Sequence, residues 1–167
     1  MNLIYYPNNF LEKEVKDVDF ENPSFDPIEL KNQMIDTMLS HNGIGLAANQ
    51  IGLDAKVFVF GDSKENSTIC FNPTILQYTK ETVLDLEGCL SFPDIYVKVK
   101  RPKEILAKWY DENFEEQVVK IEGYSAKVYL HEFDHLVGIT IKDRVSKLKW
   151  NMAEKKAKKI EKYSQIT

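Results

Sequence analysis

The chain has three histidines, and two of them stand four residues apart around a glutamate, in His131-Glu132-Phe133-Asp134-His135. That spacing is useful only on a helix. At 3.6 residues per turn, positions four apart share one face, so both rings can reach one point. H-E-x-x-H on a helix lets two imidazoles bind one metal ion while the glutamate handles a proton of the water beside it. A chance polar helix turn is the alternative, and the scarcity of histidine argues against it. The flanking residues predict a helix from about Tyr124 to Val137, closed by Gly138. Tyr124, Val128, His131 and His135 fall along one face, and Leu130 and Phe133 lie to its sides, where they suit a core. Tyr124 and Val128 fit core packing or a pocket wall.

The rest of the chain predicts a frame for that helix. Asp26 is a candidate N-cap, with Pro27 at the first helical position and Glu29 placed for a capping box, so a helix is expected from Asp26 to His41. Val57-Phe58-Val59-Phe60 and Thr68-Ile69-Cys70-Phe71 are short apolar runs, the second expected to end at Asn72-Pro73. Ile95, Val97 and Val99 alternate with polar residues, as do Ile105, Ala107 and Trp109. Asp111-Glu112-Asn113 is a turn candidate before Val118-Val119. A last helix is expected from Lys147 to about Lys162. Strands followed by helices make an α+β domain. The length, 167 residues with 43% hydrophobic, suits a single domain over 1–167 with one real core.

Charge and cysteine usage narrow the class. A net charge of −4 gives no support to non-specific or sequence-specific nucleic-acid binding. The start, Met1 to Pro7, has no basic stretch followed by a long apolar run, and no segment approaches the ~20 apolar residues of a membrane span. Neither a secretory signal nor a membrane partner is expected, and the two cysteines read as reduced thiols in a cytoplasmic protein.

A catalytic site of this kind needs a third protein ligand and an open position. In the pattern H-E-x-x-H-x-x-G-x-x-H, Gly138 is in place but Ile141 stands where the third histidine belongs. A carboxylate-ligated, zincin-like metalloprotease would need a downstream acid, for which Glu154 is available in a lysine-rich stretch. Cys89 is the better candidate, because a thiolate is a strong, soft ligand and Gly88 lets the backbone come close. Cys70 reads as a small buried hydrophobe. A scaffold with a structural metal is the non-enzymatic alternative. Such sites are usually closed and four-coordinate, whereas three ligands are apparent here.

Three segments together resemble the signature motifs of the peptide deformylases. They are Gly43-Ile44-Gly45-Leu46-Ala47-Ala48-Asn49-Gln50, Glu87-Gly88-Cys89-Leu90-Ser91 and His131-Glu132-Phe133-Asp134-His135, in the family's order and at similar spacing. The resemblance implies antiparallel sheets packed around a central metal-binding helix, with a further C-terminal helix. It implies a hydrolase that removes the formyl group from the N-terminal formylmethionine of nascent peptides, with the ribosome as the meeting place. Cys89, His131 and His135 would bind one divalent ion, iron(II) in the cell and zinc or nickel as substitutes in purified protein. A metal-bound water would attack the formyl carbon, with Glu132 as general base and then acid. Gln50 and the backbone N–H of Leu90 would hold the formyl oxygen as it becomes an oxyanion. Gly43, Ile44 and Gly45 would meet the substrate, Gly45 through its carbonyl. Tyr124 and Val128, with Ile44, would line the methionine pocket, and Asp134 would help to orient the ligands.

The sequence departs from the family at a few points. Leu130 stands where glutamine is common, and Tyr96 where many bacterial members have arginine. Lys127 stands where an apolar residue is usual, and its charge is expected to snorkel outward. No insertion follows Gln50, as in the compact bacterial-type members. The basic stretch Lys147–Lys162 reads as a solvated amphipathic helix rather than a contact for an anionic surface.

Overall fold

Two antiparallel sheets arise from the alternating segments. In the computed structural model, which describes residues 1–164, β1 (Gly45–Ala47), β2 (Val57–Phe60), β3 (Thr68–Tyr78), β6 (Glu104–Tyr110) and β7 (Glu116–Glu122) form one sheet in that order. β4 (Thr82–Cys89) and β5 (Phe92–Pro102) form a separate hairpin. Among the described residues the α-helices are α1 (Pro27–Ser40), α2 (Gly123–Leu136) and α3 (Lys147–Ser164). The architecture is the expected α+β arrangement.

The local chemistry explains the helix bounds. Asp26 caps α1, its Oδ1 accepting the Glu29 N–H at 2.7 Å, while the Glu29 carboxylate receives the Gln33 amide. Leu30, Met34, Ile35 and Met38 bury one stripe of α1 in a core with β2 and the start of β3. α2 ends where Gly138 takes φ 74, a left-handed position open to glycine at little cost. A Cβ there would also come within 2.5 Å of the Glu12 carbonyl oxygen, because the chain near Glu14 bridges to Val137.

α2 lies between the sheets. Tyr129 sits edge-on to Phe58 at 4.9 Å and beside Trp109 at 5.9 Å, which seats one face of the helix on the five-stranded sheet. Ala126 and Leu130 share that core, and Phe133 packs against it. The other face, with both histidines, turns toward the hairpin. Trp150 and Ala157 of α3 pack with Leu11, Phe92, Val97 and Val99 and so cover part of the hairpin's inward-facing side. Leu148 and Met152, at 71% and 64% exposed, stay on the solvent side of α3. Among the described residues no helix is long and apolar enough to cross a membrane.

Two elements differ from the sequence reading. β3 does not stop at Asn72-Pro73 but runs on to Tyr78. Asn72 adopts φ 45 and the register to β6 shifts between Phe71 and Thr74, so proline falls in a bulge where it takes no ladder bond. The Asn72 amide fixes this bulge by bonding both Val18 N–H and Val18 C=O, at 2.8 and 2.9 Å. β4 was not expected at all. Its inward-facing row includes the buried Glu87, opposite Val97, while Leu84 and Leu86 face out. That inverts the pattern by which a half-buried strand is recognised.

Candidate metal centre

Cys89 is the last residue of β4, just before the tight turn Leu90-Ser91, and the two histidines of α2 face it one turn apart. The ligand atoms of Cys89, His131 and His135 all lie within 4.8 Å of one another. His135 Nε2 is 3.2 Å from Cys89 Sγ, and the two imidazole centroids are 5.0 Å apart. Among the described residues no other trio of histidine, cysteine or acidic side chains could hold a metal, and Glu154 is not part of this one. One thiol and two imidazoles converging at this distance form a donor set suited to a divalent transition metal.

A buried ionic chain fixes His131. Its Nδ1 meets Glu87 Oε2 at 3.0 Å, which leaves Nε2 for the cluster. Glu87 takes a two-pronged contact from Arg101, at 2.8 and 2.9 Å. Arg101 reaches on to Asp134 at 2.5 Å, and Asp134 is also held by Arg144, whose Nε donates at 2.8 Å. Burial by itself raises the Glu87 pKa, but the hydrogen bonds of Arg101 and His131 outweigh it and hold it at about 2. Desolvation opposes the charge of Arg101, yet its two carboxylates keep it firmly protonated. Asp134 therefore connects to His131 only at one remove, through Arg101 and Glu87. Asn49 ties the opposite wall, its amide donating to the His135 carbonyl at 2.6 Å.

Glu132 lies on the same helix with its carboxyl against Gly45. A Cβ at Gly45 would stand 2.7 Å from Glu132 Cδ, so only glycine allows this approach. Burial raises the Glu132 pKa to about 7 even though the charge of His131 pulls it down. Its Oε2 is buried and has no protein partner. A buried carboxyl oxygen with open hydrogen-bonding capacity and a pKa near neutrality can take up and return a proton.

Gln50 sits in a 3₁₀ turn (Ala48–Ile51) directly after β1. The Ala47 N–H donates to its Oε1 at 2.8 Å, which turns Nε2 toward the cluster. Nε2 is 3.4 Å from Cys89 Sγ and 3.1 Å from Ser91 Oγ. Leu90 lies in the turn between β4 and β5, outside the strand pairing. Beside these groups opens a cavity of about 520 Å³ whose walls include Gly43, Ile44, Gly45, Tyr124 and Val128. Apart from Asp134, which lies behind the cluster against Arg101 and Arg144, the site residues expected from the sequence lie at one centre, either in the ligand trio or on the cavity wall.

Some details differ from the expectation. Lys127 does not snorkel into water. Its ammonium bonds Asp85 at 2.6 Å and the Leu86 carbonyl at 3.3 Å, and it lies 4.4 Å over the Tyr124 ring. Tyr96 stands exposed at the rim with its ring over Gly88. The ionic partners Arg101 and Arg144 and the tether Asn49 were not anticipated. Glu87 was read only as part of a motif. Its signal was present, because Glu87 and Arg101 both fall on the inward side of an apolar hairpin, where a charge needs a partner.

The chain matches the family model "Polypeptide deformylase" over residues 1–151. A peptide deformylase of Thermotoga maritima is 43% identical over 124 residues, covering 74% of this chain and 75% of its own length. One from Christiangramia forsetii is 35% identical over 176 residues, covering 96% of this chain and 89% of its own. The crystal structure of a peptide deformylase from Legionella pneumophila superposes with a TM-score of 0.88 at 32% identity, covering 99% of this chain and 98% of that one.

Proposed function

This chain belongs to the polypeptide deformylase family, and from that premise we propose how its residues carry out the family's reaction. It is an enzyme, its reaction is the hydrolysis of the formyl amide on formylated peptides, and it depends on a divalent metal. Cys89, His131 and His135 hold the ion. The observation that carries this reading is the convergence of their three ligand atoms within 4.8 Å, next to a buried carboxyl with an unpartnered oxygen. When bound, the ion polarises the formyl oxygen and makes water nucleophilic near neutral pH.

The chain's own residues do the rest. Ile44, Tyr124 and Val128 receive the methionine side chain, and the Gly45 carbonyl aligns the peptide backbone. Glu132 takes a proton from the attacking water as its oxygen bonds to the formyl carbon. Gln50 Nε2 and the Leu90 N–H donate to the formyl oxygen as its negative charge grows. Glu132 then returns the proton to the departing amine, the C–N bond breaks, and formate and a free N-terminus remain. Glu87 keeps the His131 ring in one tautomer and orientation, as outer hydrogen-bond partners of metal-ligating histidines do.

Iron(II) is the proposed ion in the cell, with zinc or nickel replacing it in purified protein, since the N₂S donor set accepts all three. The substrates are nascent formylmethionyl chains met at the ribosome, in a cytoplasm. Protein loaded with nickel and given formyl-methionyl-alanine tests the reading by formate release. Release that stops in Glu132→Ala while the ion stays bound is the expected result. Release at the parent rate by that variant would remove Glu132 from its role.

A further inference from the structure

The β4–β5 hairpin leaves an apolar row uncovered. On its outward face Gly88, Leu86 and Leu84 pair across the strands with Tyr96, Lys98 and Lys100. Leu84 is 57% exposed, Leu86 50% and Tyr96 61%. Leu86, Gly88 and Tyr96 also line the cavity beside the ligand trio, so the strip starts inside the site and runs out of it. A contiguous exposed apolar strip joined to a pocket marks a contact surface.

The charges along the strip are one-sided. Lys98 and Lys100 are exposed, and neither has an ion-pair partner among the described residues. The nearby acids are engaged elsewhere: Asp85 pairs with Lys127, and Glu87 is buried against Arg101. Asp94 is exposed at the other end of the strip, next to the turn. The far end of the strip is therefore positive on a protein whose net charge is −4.

We propose that this outward face is a docking strip for the part of the substrate peptide downstream of its formylmethionine, and that Lys98 and Lys100 favour acidic residues there. The proposal rests on the deformylase reading. Strand residues rise about 3.3 Å each, so the Leu86–Lys98 pair lies roughly 7 Å beyond Gly88–Tyr96 and the Leu84–Lys100 pair roughly 13 Å beyond it. An extended peptide covers that distance with about two to four residues.

The test compares kcat/KM on three substrates: formyl-methionyl-alanine, a hexapeptide beginning in the same way with aspartates at positions four to six, and its counterpart with lysines there. Each long substrate is expressed as a ratio to the short one in the same enzyme. The acidic peptide should exceed the basic one by about three- to tenfold at low salt, the scale of one or two exposed ion pairs, and the gap should shrink as salt rises. Lys98→Glu/Lys100→Glu should invert the order, and Lys98→Gln/Lys100→Gln should abolish it. Equal ratios in the parent protein, or a preference that survives both double variants, would overturn the proposal. Failure of the loaded parent to deformylate the short peptide would instead sink the deformylase reading on which it rests.

Discussion

Gly45 shows how closely single residues decide this site. It has no room for a side chain, since a Cβ would overlap the Glu132 carboxyl. Gly45→Ala should therefore displace Glu132 and cut kcat sharply while metal content stays at the parent level, because the atoms that a Cβ would meet first all belong to Glu132. Activity and metal analysis on one preparation would check this, and parent-like kcat would show that Glu132 tolerates the shift. In the proposed mechanism Gln50 acts differently, as a donor whose direction is set by the Ala47 N–H. Losing one such donor typically costs about 3 kcal/mol, or roughly a hundredfold in rate. Gln50→Ala should lower kcat by that order with a smaller change in KM. Some activity should survive on the Leu90 N–H and the ion. Steady-state kinetics on a short formyl-methionyl peptide decides it, and an unchanged kcat would make Gln50 a loop residue only.

At the scale of elements, α2 is held by two unlike surfaces. Toward the five-stranded sheet the contact is aromatic, and the Tyr129 hydroxyl is buried there without a partner. Tyr129→Phe should leave stability unchanged or raise it, because an unsatisfied buried hydroxyl is a cost and not a bond. Thermal unfolding would show it, and a marked loss would reveal a missed partner. Toward the hairpin the contact is ionic. Arg101→Ala would take from the buried Glu87 its guanidinium partner and leave Asp134 to Arg144 alone, and breaking such a buried pair costs about 3–5 kcal/mol. Denaturant unfolding of that variant should show a loss on this scale, and a loss under about 1 kcal/mol would mean the carboxylates find water. These two surfaces also explain what the sequence could and could not disclose. The helices follow from periodicity and caps, the two histidines from motif spacing, and Cys89 from its own motif and the resemblance that the motifs carry together. β4 stayed hidden because its buried row carries an acid and its leucines face out. The run of β3 past Pro73 stayed hidden because a bulge, set by Asn72 gripping Val18, removes the usual penalty of proline. Both depend on contacts distant in the chain, which local patterns do not contain.

For the whole molecule, the site joins parts that meet only in the folded protein: the turn after β1, the end of β4, and one face of α2. Cys89 and His135 are 46 positions apart in sequence yet 3.2 Å apart in space. An ion bound across them should stabilise the folded chain by mass action, since the unfolded chain does not preserve the cluster. The most direct test of the account is the metal content per chain of Cys89→Ala and Cys70→Ala, purified and loaded side by side. Cys70 is fully buried, away from the ligand cluster, and burial pushes its thiol pKa well up, so it offers no thiolate. The account predicts that the Cys70 variant holds the ion at the parent level and that the Cys89 variant loses most of it. Full retention by the Cys89 variant would contradict the assignment of the centre.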